Sequence, residues 1–153
     1  MRGTVFVLSF SLAAATSTAQ ERPWIGRIQA GSATIHEWGG QGVWAGAQVG
    51  RSFVGGALSG DLGLAVSNSD DGHVSLTAGL DVLPFPSAAV SPFARAEAGV
   101  LGEPEYGGYV AGVGGGLAVR LDDRLSLRGG ATWSVHGDVR GPVVYYGGVQ
   151  LRW

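Results

Sequence analysis

The stretch VVYYGGVQLRW, residues 143–153, ends the chain and decides how the rest of it is interpreted. Counted back from Trp153, every second residue is apolar or glycine, whereas the intervening Arg152 and Gln150 are polar. A period of two residues is typical of a β-strand with one apolar and one polar face. The stretch therefore predicts a strand whose apolar face meets either a protein core or lipid.

The first nineteen residues have the features of a secretory signal peptide. Arg2 gives a basic start, residues 5–15 form a short apolar run, and Ser17-Thr18-Ala19 supplies small residues for cleavage. The apolar run is shorter than the roughly 20 residues that a membrane-spanning helix needs. We therefore expect a signal peptide over residues 1–19 and one mature domain over residues 20–153.

The composition excludes several classes of protein. The chain has no cysteine, so no disulfide stabilises it, and all of its ten basic residues are arginine. Without Arg2, nine arginines oppose twelve acidic residues, a net charge of −3. This weak acidity argues against nucleic-acid binding, which normally requires a basic face.

The mature region alternates between apolar and polar residues in eight segments, with turn-forming residues between most of them. The segments are 24–33, 42–51, 56–66, 73–83, 91–101, 108–120, 124–134 and 143–153. An even number of strands that are long enough to cross a bilayer and apolar on one face is typical of outer-membrane barrels. The sequence therefore predicts an all-β fold, an eight-stranded antiparallel up-and-down transmembrane β-barrel.

The same alternation also fits a soluble exported barrel that binds a small apolar ligand inside. The aromatic residues favour the membrane interpretation, because several lie near segment ends on the apolar face, where interfacial girdles occur. These residues are Trp24, Tyr109, Trp133, Tyr145 and Trp153.

Across the mature region the chain resembles the small eight-stranded outer-membrane barrels of the opacity-protein type. The resemblance rests on the proline-punctuated PFPSAAVSPFARAEAGV, residues 84–100, and on five alternating residues at the end of the chain. Those five are Tyr145, Gly147, Val149, Leu151 and Trp153. The resemblance implies that these five form the signal read by the barrel-assembly machinery. It also implies a monomer in the cell outer membrane of a Gram-negative bacterium, in contact with membrane lipid and lipopolysaccharide.

If the apolar face meets lipid, the opposite face fills the lumen. The alternation then predicts a polar network of five arginines and three carboxylates, with surplus positive charge nearer the rims. Its members are Arg27, Asp61, Asp81, Arg95, Glu97, Arg120, Arg128 and Arg152. Buried charges persist only when they are paired and hydrogen-bonded, so we interpret the network as a plug. A proton or ion path is the alternative.

Glycines on the same inward face are expected to leave space for these long side chains. Gly112, Gly114 and Gly116 precede Arg120 at alternate positions. With both termini on the periplasmic side, as is usual for such barrels, the external loops fall near residues 34–41, 67–72, 102–107 and 135–142.

Three clusters contain residue types found in catalytic or metal sites: His36-Glu37, residues 67–73 and residues 134–138. In the second, SNSDDGH, the residues Asp70, Asp71 and His73 are possible metal ligands, but the sequence is also that of a turn.

The third cluster, SVHGD, contains a serine, a histidine and an acid. Its order, Ser134 before His136, differs from the His-x-Ser order of lipid A deacylase barrels, and Gly137 favours a loop. We therefore expect no catalytic residue, no metal and no cofactor. The prediction is a non-enzymatic outer-membrane barrel with a structural, adhesive or surface-interaction role. A soluble exported barrel and a lipid-modifying barrel enzyme are the alternatives.

Overall fold

The computed structural model describes residues 24–35, 40–68, 74–102, 108–136 and 139–153. Eight β-strands occupy almost all of these ranges. They are β1 (Trp24–Ile35), β2 (Gly40–Phe53), β3 (Leu58–Ser67), β4 (Val74–Val82), β5 (Val90–Gly102), β6 (Gly108–Arg120), β7 (Leu125–His136) and β8 (Val139–Arg152). The expected signal peptide lies outside the described residues.

The strands close into one barrel. Each pairs in antiparallel fashion with its neighbours in sequence, and β1 also pairs with β8. At the junction Trp24 and Trp153 exchange backbone hydrogen bonds of 3.3 and 3.1 Å. The predicted eight-stranded antiparallel up-and-down barrel is therefore confirmed. Closure leaves no unpaired sheet edge, as a bilayer demands of any structure that spans it.

The two ends of the barrel differ. At one end β1 begins, β8 ends, and three short turns over residues 54–57, 83–89 and 121–124 connect successive strands. We call this the terminal end and the opposite one the loop end. The β2–β3 turn contains three consecutive residues with positive φ: Val54 (49°), Gly55 (62°) and Gly56 (91°). Glycine tolerates this conformation, whereas a β-branched residue such as Val54 adopts it only with strain.

At the loops predicted over residues 34–41 and 135–142, the four flanking strands extend further than the alternation predicts. β1 continues to Ile35, β2 already begins at Gly40, β7 continues to His136, and β8 begins at Val139. The predicted loops over residues 34–41 and 135–142 are therefore too long. The cause is that backbone pairing continues past the point where side chains stop alternating, because ladder hydrogen bonds need no apolar face.

The barrel carries its large apolar side chains on the outside. Ile28 is 73 % exposed and Leu62 is 61 % exposed, although both lie in the middle of long strands. Alternate residues on the same strands, such as Arg27 and Asp61, are buried inside. This distribution is the reverse of that in a soluble barrel with an apolar interior.

All five aromatic residues that the sequence placed on the apolar face point outward. Trp24 and Trp153 lie at the terminal end, where the outward side chains of Phe53 and Phe85 join them. Tyr109 and Trp133 lie nearer the loop end, and Tyr145 lies midway along β8. In the described part of the chain, no helix has the length and hydropathy to cross a membrane.

Candidate functional site: a buried ion-pair network

The centre of the lumen contains a network of three arginines and three carboxylates. Because strands in a barrel alternate their side chains in and out, one inward position on each of several strands suffices to bring the charges together. Arg27 comes from β1, Asp61 from β3, Asp81 from β4, Arg95 and Glu97 from β5, and Arg128 from β7.

Asp81 is the most enclosed member, with no exposed surface. Its Oδ2 lies 2.5 Å from Nη2 of Arg27 and accepts a hydrogen bond of 3.0 Å from Nη1 of Arg128. Its Oδ1 accepts one of 3.3 Å from Nη1 of Arg95. A single carboxylate therefore connects three arginines on three different strands.

Asp61 binds two of the same arginines. Arg95 donates hydrogen bonds of 2.9 Å from Nη1 to Oδ2 and from Nη2 to Oδ1 of Asp61. This is the forked geometry that guanidinium groups favour. Arg27 donates to the same carboxylate from Nη1 at 2.6 Å. These contacts link β1, β3 and β5, which are not neighbours in the sheet.

Neutral polar side chains complete the coordination of Arg27. Gln150 accepts from Nε of Arg27 at 2.8 Å and also from Nη1 of Arg128 at 3.2 Å. Ser59 accepts from Nη2 of Arg27 at 3.1 Å. Every nitrogen of the Arg27 guanidinium thus has a partner, as a buried charge requires.

Glu97 lies at the edge of the network nearer the loop end. It accepts from Nε of Arg95 at 2.8 Å, but its side chain remains 20 % exposed, unlike the two aspartates. Gly79 lies opposite Glu97 in the β4–β5 pair, and a Cβ on Gly79 would overlap the guanidinium of Arg95. This glycine makes room for an arginine.

Gly112, Gly114 and Gly116 do not have the role expected of them. A Cβ on Gly112 would lie 2.9 Å from the Thr132 side chain, and at Gly114 and Gly116 it would overlap the backbone of β7. These glycines therefore allow β6 and β7 to approach each other closely instead of making room for Arg120.

Arg120 and Arg152 do not pair with the three carboxylates of the network, which corrects that part of the sequence prediction, but they lie at one end of the barrel, as expected of the surplus positive charge. Arg120 is at the terminal end, where it forms an ion pair with the exposed Asp123 and donates to the carbonyl oxygen of Ser87 at 3.3 Å. Arg152 borders the same end of the lumen. Alternation identifies the face of a strand on which a residue lies, but not its height along the barrel axis.

An apolar cluster adjoins the network inside the barrel, and Leu83, Phe93 and Ala118 in it were not predicted from the sequence. Leu83, Phe93, Ala118 and Tyr146 form a buried cluster, with Trp44 packed against it. The centroid of the Phe93 ring lies 3.9 Å from the guanidinium carbon of Arg128, which is a cation–π contact. Phe93 lies two residues before Arg95 on β5, so the inward phase could have identified it.

The candidate catalytic and metal residues form no site within the described ranges. Ser134 is only 3 % exposed and faces the lumen, and it belongs to β7 together with His136, not to a loop. Asp138 lies outside the described residues, as do His36, Glu37, Asp70, Asp71 and His73. No group of three or more potential metal ligands occurs in the described part of the chain.

The five alternating residues at the end of the chain all lie on the outer surface of β8 or just after it. Tyr145, Val149, Leu151 and Trp153 are exposed large side chains, and Gly147 is exposed between them. The Trp153 ring lies over Gly26 of β1, where a Cβ would come within 2.9 Å of it.

Comparison with known proteins identifies the fold. No family model and no curated protein matches the chain. Among solved structures, Neisserial surface protein A has a TM-score of 0.69 at 12 % identity, covering 87 % of this chain and 98 % of that one. The N-terminal β-barrel domain of Pseudomonas aeruginosa OprF has a TM-score of 0.66 at 12 % identity, covering 86 % and 98 %. The outer membrane enzyme PagL has a TM-score of 0.55 at 14 % identity, covering 82 % and 98 %.

Proposed function

We propose that this chain is a non-enzymatic barrel of the outer membrane, with a structural, adhesive or surface-interaction role. The observation that carries the proposal is the inverted distribution of polarity. A closed sheet exposes its large apolar side chains, such as Ile28 and Leu62, and encloses a network of paired charges. Only lipid makes such an exterior favourable, because burial of apolar surface away from water is the dominant driving force of folding.

The location in the outer membrane is supported by the fold. The solved structures that the chain resembles include an outer membrane enzyme and two bacterial barrels of similar length. Aromatic side chains at the terminal end and nearer the loop end are placed where the two interfaces of a bilayer would lie. The narrower proposal, that the chain belongs to the opacity-protein type, rests on the sequence pattern of the final strand.

The plugged lumen supports a role that requires no transport. Eight strands enclose an interior that side chains can fill, whereas aqueous channels belong to barrels of about 16 strands. Here Arg27, Arg95 and Arg128 extend into the lumen and bind the carboxylates of Asp61, Asp81 and Glu97. We therefore assign the function to the outer surface and the loops, with lipopolysaccharide and membrane lipid as the immediate contacts of a monomer.

A lipid-modifying enzyme is not favoured by the geometry. Such an enzyme needs its nucleophile within reach of lipid, but Ser134 faces the interior and is 3 % exposed. Mass analysis of lipid A from cells with and without the gene tests this alternative. Identical lipid A species support the non-enzymatic proposal, and a species that disappears on deletion contradicts it.

Membrane fractionation with a heat-modifiability assay tests the proposal as a whole. The protein should sediment with the outer membrane, and unboiled and boiled samples should migrate differently on a denaturing gel. The physical reason is that opening a closed barrel exposes a complete ladder of backbone hydrogen bonds. Recovery in the soluble fraction without detergent, with identical migration, would contradict it and favour a soluble exported barrel.

A further inference from the structure

The terminal end of the barrel contains a recess that the ion-pair network does not use. It opens between the 83–89 and 121–124 turns and the end of β8, and it spans about 330 Å³ including its open mouth. Arg120, Arg124 and Arg152 line it together with Asp122 and Asp123. Its inner space is narrow, so it fits the end of a charged group and not a whole metabolite.

Two of these arginines are joined by a backbone hydrogen bond between the turn before β7 and the end of β8. The backbone N–H of Arg152 donates to the carbonyl oxygen of Arg124 at 2.8 Å, and both side chains border the recess. Both residues can therefore approach a ligand in the recess from neighbouring backbone positions.

The aspartates of the recess have other partners. Asp123 pairs with Arg120. Asp122 uses Oδ1 to accept the backbone N–H groups of Arg124 and Leu125, at 2.6 and 2.7 Å, which fixes the turn.

Arg120 also uses all three of its guanidinium nitrogens, on Asp123, Ser87 and the Asp122 carbonyl. The recess is left with one more arginine than carboxylates.

Arg152 is the arginine of the recess whose charge is not balanced by a carboxylate in the described part of the chain. Within the described ranges its guanidinium makes no hydrogen bond or ion pair, and the charges that act on it most strongly are those of Arg120 and Arg128, both repulsive. It is partly buried and lies near the β2–β3 turn, since a Cβ on Gly56 would be 3.7 Å from its Nη1.

We propose that this recess binds a phosphate group, held between Arg152 and Arg124. A phosphate offers several acceptor oxygens, so it can take forked hydrogen bonds from two guanidinium groups and further bonds from hydroxyls. Ser126 supplies a hydroxyl donor on the recess wall, whereas the hydroxyl of Ser91 already donates to the carbonyl oxygen of Pro92 at 3.0 Å. The negative charge of the phosphate also offsets the positive charge of the arginine that has no carboxylate to balance it.

The phosphate has two possible sources, free phosphate and the headgroup of an anionic lipid. The terminal end carries Trp24 and Trp153 on its outside, so the rim lies at the level of lipid headgroups. The experiment therefore has two arms. Inorganic phosphate is titrated into protein in zwitterionic detergent, and separate samples are prepared in nanodiscs of phosphatidylglycerol or phosphatidylcholine.

Nuclear magnetic resonance of the arginine Nε–Hε groups provides the readout. We expect saturable shifts of the Arg152 and Arg124 signals with phosphate, and none with sodium chloride at equal ionic strength. If a lipid headgroup is the source, the same signals differ between the two nanodisc samples. A response in either arm supports the site and identifies its source.

Arg152→Gln should weaken binding about tenfold or more, since it removes a charge-assisted interaction. The matched control is Arg51→Gln, because Arg51 lies at the same end but is exposed on the outside of β2 and does not line the recess. That variant should bind as the wild type does. If Arg152→Gln lowers the yield of folded barrel, Arg124→Gln tests the same site from a turn residue.

Three results would overturn the proposal. The first is no response of the Arg152 signal in either arm. The second is equal affinity of wild type and both recess variants, Arg152→Gln and Arg124→Gln. The third is an equal response to acetate and phosphate, which would reject phosphate as the chemical class.

Discussion

Nη1 of Arg27 lies 2.6 Å from Oδ2 of Asp61, and this contact joins β1 to β3 across the interior of the barrel. The two side chains are 1 % and 0 % exposed. The strands that carry them share no backbone hydrogen bonds, since β2 lies between them. The network thus links strands that the sheet itself does not connect, and the energetic predictions below follow from that.

Replacing Asp81 by asparagine should destabilise the barrel strongly. The substitution preserves the shape of the side chain but removes the charge that faces Arg27, Arg95 and Arg128. Breaking a buried ion pair in this way costs about 3–5 kcal/mol. The measurement is the urea midpoint of unfolding in lipid vesicles, together with the temperature at which heat modifiability is lost.

Asp123→Asn is the control for that measurement. It removes an ion pair with Arg120 at the surface, where the Asp123 side chain is 80 % exposed. Exposed pairs contribute about 0–1 kcal/mol. Equal losses of stability for the two variants would show that the interior network contributes no more than a surface contact does.

Glu97→Ala should cost less than Asp81→Asn. Glu97 contacts Arg95 alone and is partly exposed, so water can replace it, and Arg95 keeps its bonds to Asp61. The order of unfolding midpoints should be wild type, then Glu97→Ala, then Asp81→Asn. A larger loss of stability for Glu97→Ala than for Asp81→Asn would contradict the structure, in which Asp81 and not Glu97 lies at the centre of the network.

Trp153→Ala should reduce the amount of assembled barrel in cells while leaving refolding in detergent nearly unchanged. The resemblance to opacity-type barrels implies that Trp153 belongs to a signal read by assembly machinery, which would matter only in the cell, whereas the backbone bonds between Trp153 and Trp24 do not need the ring. Trp133→Ala is the matched control, another outward tryptophan with similar exposure. If Trp153→Ala and Trp133→Ala assemble equally well, Trp153 has no special role in assembly and acts only as an interfacial anchor.

Val54→Gly should stabilise the β2–β3 turn. Val54 has a φ of 49°, a conformation that costs an ordinary L-residue about 1–2 kcal/mol and glycine much less. Ala57→Gly is the control, since Ala57 has a φ of −71° and gains nothing from glycine. Unfolding midpoints in urea should rise for the first variant and fall slightly for the second.

The purified barrel should show at most rare, small conductance steps in a planar bilayer. Arg27 and Arg95 cross the lumen to Asp61, so no continuous water path is expected through that layer. Steady, large steps from homogeneous protein would mean that these arginines line a channel instead of closing it.

The sequence predicted the face of nearly every residue but not its height in the barrel. A period of two is enough to place Arg27, Asp61 and Asp81 inside, because strand geometry allows only two faces. Height depends on strand tilt and on where each strand starts, which the pattern does not contain. For this reason the alternation grouped Arg120 and Arg152 with the three carboxylates and did not specify which arginines lie at the rim, or at which end.

Apolar residues on the inner face were harder to recognise. Ile25 and Phe93 are buried inside the barrel, each two residues from an arginine of the network on the same strand. In the sequence their hydrophobicity points to the lipid face, whereas their phase points inward. In the structure the in–out alternation of the strand decides the face, not the hydrophobicity of the single residue. A shift of one residue in the alternation would turn every side chain of the strand to the opposite face.

The central claim is that the outer face of this barrel contacts lipid and the inner face does not. Two single-tryptophan variants test it, one retaining the outward Trp133 and the other retaining the inward Trp44, which packs edge-to-face on Tyr146 with ring centroids 6.3 Å apart. Both are reconstituted in vesicles whose lipids carry bromine on their acyl chains. Fluorescence of Trp133 should be strongly quenched and that of Trp44 only weakly. Equal quenching of the two, or none for either, would contradict the account.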